Sequence, residues 1–200
     1  SAGVLLDYTK QTQNNQLPHI NNLILDSQAD NLILDAISRR NLEISLTMRG
    51  ESSPTLFSVF DHCANPMGSR LLDQWLNNPL RQHHAIEQRY TAVESLQPIH
   101  GQIANILRQI GDIERISSRI ALRSARPRDL AGLRNSLLIL PELNFLENHS
   151  ASHLITAIHQ NLSSIASEIA SKLQLAIQAE PSLLLREGGV INLGYNSELD

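Results

Sequence analysis

Residues 152–178 read SHLITAIHQNLSSIASEIASKLQLAIQ. Ile158, Leu162, Ile165, Ile169, Leu173 and Ile177 recur every three or four positions, the repeat of one helix face. No glycine or proline interrupts the run before Pro181. As a single helix it spans roughly 40 Å at 1.5 Å per residue. That is long for a compact domain of this size, so the pattern predicts an arm leaving a folded body. After Pro181, Gly188-Gly189 sits between two short apolar runs, as in a hairpin.

Upstream, the chain is punctuated as a series of helices. In SARPRDLAGLRNSLLILPEL (124–143), Leu130, Leu133, Leu137 and Leu140 stand at near-heptad spacing. Arg126-Pro127 opens that helix and Pro141 closes it. Ile113, Ile116 and Ile120 follow Asp112, a natural cap. Ile99, Ile103, Ile106 and Ile110 mark another helix, ended by Gly111, and Ile86, Tyr90 and Val93 mark one before it. In NPMGSRLLDQWLNNPL (65–80), Asn65 caps a helix and Pro66 fits its first position. Leu71, Leu72, Trp75 and Leu76 share a face, and Asn77-Asn78-Pro79 ends the run. Gly68 in the first turn predicts a close neighbour. RGESSPT (49–55) is a loop and AISRRNLEI (36–44) a short helix. NLILDSQADNLILD (22–35) reads as two short strands, Leu23–Leu25 and Leu32–Leu34, after the helical AGVLLDYTKQTQ (2–13).

Composition agrees with a helical fold. Leu, Ile and Ala dominate, while three Phe, three Tyr and one Trp leave little for sheet. A net charge of −4 gives no general pull toward nucleic acid or acidic membrane. One cysteine, Cys63, excludes an internal disulfide. No run of about 18 apolar residues spans a membrane, and the opening lacks signal-peptide order; the cytoplasm is the expected compartment. Lysine occurs only at Lys10 and Lys172, so Arg carries the positive charge, in keeping with fixed, planar partners.

Candidate chemistry is sparse. His83-His84 point in different directions on a helix, and His62-Cys63 has no partner pair at zinc spacing. Neither lysine follows a glycine as a phosphate-binding loop requires, and no nucleophile elbow is present. Neither a catalytic, a cofactor nor a metal site is expected. One feature is more pointed. Arg115, Arg119 and Arg123 are four apart and Arg126 three beyond, which predicts a basic stripe on one helix face. Such a stripe can track DNA phosphates. Asp112, Glu114 and Asp129 stand near enough to neutralise it instead, and no aromatic residues interleave for base stacking.

The blocks LDAISRRNLEI (34–44), SVFDHCANPMGSRLLDQWLNNPL (58–80), LRQIGDIERISSRIALRSARPRDLAGLRNSLLILPEL (107–143) and EGGVINLGYNSELD (187–200) resemble, in order and spacing, the central part of the bacterial DNA mismatch-repair MutS family. Asn65 stands where that family carries Thr; both can cap a helix. The resemblance covers essentially the whole chain. It implies a mainly α-helical fold, with a helical core, one long protruding lever helix and small β elements near both ends. It divides the chain into an entry helix and strands (1–34), the core (35–150), the outgoing lever (151–180) and the start of the clamp region (181–200).

The resemblance also implies a role: coupling clamp and mismatch binding to an ATPase within DNA mismatch repair, the response to that class of DNA damage. ATP and Mg would belong to the full-length protein, as would mismatched double-stranded DNA, MutL and a homodimer partner. This stretch itself would be structural and not an enzyme. A self-standing helical protein–protein interaction module is the alternative. Phe145-Leu146-Glu147 spells the family's Phe-x-Glu mismatch reader, but in the core region, and reads as coincidence. The lever's apolar stripe is expected to be exposed, or covered by a second copy.

Overall fold

The computed structural model describes residues 2–12, 20, 30–149 and 152–198, with the side chains of 163–167 excepted. Among the described residues there are nine α-helices and no strand. They are α1 (Ala2–Thr12), α2 (Ala36–Asn41), α3 (Leu56–Phe60), α4 (Pro66–Asn77), α5 (His83–Leu96), α6 (His100–Leu107), α7 (Ile113–Ala121), α8 (Pro127–Ile139) and α9 (His153–Ala176). A 3-10 segment, Leu140–His149, continues α8 past Pro141.

The helix brackets behave as their chemistry requires. Asn65 Oδ1 accepts from Gly68 N–H at 3.0 Å, and Pro66 occupies the first turn. A Cβ at Gly68 would lie 3.2 Å from Cys63 Cβ, so the glycine admits the approach of the preceding loop. Asp35 caps α2 through Ile37 and Ser38 N–H, and Asp112 Oδ1 accepts from Arg115 N–H at 3.2 Å.

The expected β elements reduce to two isolated antiparallel bridges, Asn31 with Leu80 and Ile177 with Ile191. Leu32–Leu34 forms no strand; its pairing is confined to Leu32 N–H on Pro79 O, beside Arg81 N–H on Asp30 O. Leu23–Leu25 lies outside the described residues. A bridge of one residue pair has too few ladder bonds to hold a flat strand.

The long run is one helix of 24 residues, about 36 Å. It is seated on the body before and after its middle. Ile155 joins a core cluster with Ala92, Ile106, Ile110, Leu143 and Leu146. Farther along, Ala170 packs with Ile116, Leu133 and Leu137, and Ile177 with Ala131 and Val190. As numbering rises along α9 it falls along its partners, so α9 lies antiparallel to α8 and the 3-10 segment. The buried face follows the repeat in part: Leu162, Leu173 and Ile177 pack into these clusters. Ile155 and Ala170 are buried, whereas Ile158 and Ile169 are 41% and 49% exposed; the side chain of Ile165 is outside the described residues. A helix this rich in aliphatic residues offers several faces with the same period, and only its neighbours select one.

Two other faces differ. Tyr90 and Val93 of α5 are exposed, and Ala92 is its buried residue. On α4, Leu71 and Trp75 are exposed, and Trp75 instead stacks under the Arg89 guanidinium, 3.8 Å from the ring centroid.

Candidate functional site at the capped end of the long helix

A helix leaves its last four carbonyls without intrahelical donors. At the end of α9 each has a donor from elsewhere in the chain. Asn192 Nδ2 lies 3.1 Å from Gln174 O and 3.0 Å from Leu175 O, and Asn192 N–H donates to Ala176 O at 2.9 Å. Arg134, on α8, takes the next three. Its Nη1 donates to Ile177 O and Gln178 O at 3.0 and 2.9 Å, and its Nη2 to Ala179 O at 2.9 Å. Its Nε donates to Asn135 Oδ1.

Arg134 is only 7% exposed, and no carboxylate among the described residues pairs with it. The negative end of the α9 dipole and three carbonyls stand in for a counter-ion. The planar fork reaches three successive carbonyls from one side chain, which the single ammonium of a lysine cannot match. The chain returns to this point because Gly188 and Gly189 adopt φ of +70° and +64°, a region costly for a side chain. Gln178 N–H then donates to Val190 O at 2.9 Å, and Gln178 Nε2 to Ile191 O.

A second anchor ties α8 to the α6–α7 turn. Ser136, 1% exposed, donates to Gly132 O at 2.7 Å and accepts Gly111 N–H at 2.9 Å. A third joins α4 to α7. Arg70 forks onto Asp112 at 2.8 and 2.7 Å and also pairs with Glu114. Hydrogen bonds from Arg70, with help from Arg115 N–H, lower the Asp112 pKa to about 2.

A family model described as MutS domain III matches residues 37–198. The chain belongs to the MutS family. It is therefore part of a mismatch-repair protein, and the helix end described above lies inside the matched domain.

The MutS arginine stripe expected from spacing is not a single helix face. Helix α7 ends at Ala121, and Arg123 adopts φ of +54° in the turn beyond it. Ser124 N–H bonds to Arg119 O and Arg123 N–H to Ile120 O, a helix stop in which glycine usually takes the left-handed place. Arg115 pairs with Asp112 at 3.4 Å and Arg119 with Asp129 at 2.6 Å. Arg126 precedes α8, and its N–H donates to Asp129 Oδ2. Glu114, read as a partner for the stripe, goes to Arg70 instead. Phe145-Leu146-Glu147 lies in the 3-10 segment, with Leu146 buried and Phe145 packed against the first cluster. Among the described residues, no three His, Cys, Asp or Glu gather as metal ligands, and no helix is long and apolar enough to cross a membrane.

Sequence reasoning passed over Arg134 and Asn192. The signal for Arg134 was present: a lone arginine next to Leu133 on the apolar face of α8. A buried position forces such a charge to find a partner. The partner is backbone, which no side-chain pattern announces.

Proposed function

We propose that this chain is the core and lever of a MutS mismatch-recognition ATPase and couples DNA grip to the nucleotide state. In the full-length homodimer the DNA would be mismatched duplex, and MutL the downstream partner. The chain's own contribution is mechanical and not catalytic. The observation carrying this reading is the double anchoring of α9, whose apolar face is seated in three clusters and whose end is clasped by Arg134. An element can transmit a bias between distant sites if it moves as a unit between discrete placements. A helix packed on either side of its middle and capped at its exit meets that need, since packed cores switch and do not stretch.

Within the same proposal, Arg123 and Arg126 are the members of the arginine group that would meet DNA phosphates; neither has an ion pair with a described residue. Arg115 and Arg119 are already neutralised.

The test is a proline at Glu168, an exposed position inside α9. Proline removes a helical hydrogen bond and clashes with the preceding turn. In the full-length protein, Glu168→Pro is expected to abolish ATP-triggered release from mismatched duplex while leaving ATP hydrolysis measurable; Glu168→Ala should behave as the parent. ATP-triggered release that persists in the proline variant would remove the lever role.

A further inference from the structure

Arg39, Arg40 and Arg49 are among the arginines outside the ion pairs described above. Arg39 and Arg40 lie in the last turn of α2, and Arg49 in the loop that follows. Arg39 Nε donates to Leu34 O at 3.1 Å, and Arg40 Nη2 to Met48 O at 3.2 Å. These tethers fix two guanidiniums on backbone carbonyls without cancelling their charge. None of the three has a carboxylate within ion-pair distance among the described residues. Glu43 is near in sequence, but its Oε1 accepts Met48 N–H at 2.6 Å.

The three arginines line a cavity of about 460 Å³. Ile44 and Thr47, 3% and 7% exposed, also line it, with Leu46 and Met48 more than half exposed. The site thus offers positive donors beside an apolar surface. We propose that this cleft is a docking site for a peptide segment of a protein partner, one that sets a carboxylate next to an aliphatic side chain. The carboxylate would meet the free N–H groups of Arg39, Arg40 and Arg49 in a charge-assisted fork. The aliphatic neighbour would cover Leu46 and Met48, and Met adapts its shape to such contacts.

Nucleic acid fits less well. Between residues 35 and 51 the three arginines are matched by Asp35, Glu43 and Glu51, so the formal charge is zero. That leaves no extended field to track a polyphosphate. No aromatic ring lines the cavity for a base to stack on. This site is independent of the lever role.

The test uses the chain as it stands and an array of random 12-residue peptides. Retained peptides are expected to be enriched in Asp or Glu beside Leu, Ile or Met. Replacing the acids of a retained peptide by Asn and Gln should weaken it at least 10-fold. So should the triple variant Arg39→Gln, Arg40→Gln, Arg49→Gln, with the far-UV circular dichroism of the parent, since all three side chains are exposed. Methyl resonances of Ile44 and Met48 should move on titration. A retained set without acidic enrichment, or equal binding by the triple variant, overturns the proposal. So does an array that retains nothing, or a 20-base-pair duplex that binds this cleft more tightly than any peptide.

Discussion

Replacing Arg134 by methionine tests the clasp at the helix end directly. Methionine matches much of the side-chain volume but donates nothing. Three bonds of 3.0, 2.9 and 2.9 Å to Ile177, Gln178 and Ala179 would be lost. Hydrogen bonds from a charged group contribute about 1.5–3 kcal/mol each, which sets an upper bound of several kcal/mol. Two effects reduce it. Removing the guanidinium also removes the cost of its burial. The carbonyls are not all stranded: Ile177 O keeps Asn192 Nδ2 at 3.2 Å, and the exposed Ala179 can turn to water. A loss of about 3 kcal/mol remains as the expectation. For a domain of this size that is a fall of about 6–12 °C in melting temperature.

Urea unfolding followed by far-UV circular dichroism gives the stability change. Hydrogen exchange gives its location. The amides of Gln178 and Asn192, bonded to Val190 O and Ala176 O, should exchange much faster in the variant, with less change around Ile106. Arg134→Lys should fall between parent and methionine, since it keeps the charge but not the fork. A methionine variant within 1 kcal/mol of the parent, with those two amides unchanged, would refute the reasoning.

Four further outcomes are expected. Ile155→Ala should cost about 2–4 kcal/mol because the residue is 3% exposed in the first cluster, whereas Ile158→Ala, at 41% exposure, should cost under about 1 kcal/mol; equal costs in chemical denaturation would show that the buried face is misplaced. The Asp112 carboxylate titrates at about 2 when folded against an ordinary 3.8, so its pair with Arg70 stabilises the fold above about pH 4 and the gain is lost as pH falls toward 2. After allowance for solvent screening this amounts to about 1 kcal/mol, and Asp112→Asn should flatten that part of the stability–pH curve. In full-length protein, Arg123→Ala should reduce the salt dependence of DNA binding by about one charge, and Arg119→Ala should leave it unchanged because Asp129 holds that side chain at 2.6 Å; the reverse order counts against the assignment. Gly189→Ala should cost about 1 kcal/mol in thermal unfolding, since φ is +64° there, and a neutral result would mean the turn relaxes.

Helix positions were legible because they are local. Asn65-Pro66, Asp112 and Pro127 carry their capping chemistry in the residues themselves, and the structure places helix starts at Pro66, Ile113 and Pro127. The family was legible for a related reason: its blocks are strings of such local signals at fixed separations. The basic stripe was misread because four-residue spacing was extended past Ala121, where the helix stops with an arginine in the left-handed place usually left to glycine. The cleft beside Arg39, Arg40 and Arg49 has no signature either, since its shape comes from the turn that carries Met48 back over α2.

By itself the sequence determined that the chain is helical, where most of its helices begin and end, and that one of them is long; hydrogen bonding within a turn or two decides those matters. Tertiary structure alone decided which face of α9 is inside, that the helix lies along α8, and that Arg134 closes its end. The clasp joins residues 43 positions apart, and the choice among equivalent aliphatic faces is made by the neighbour that covers one of them.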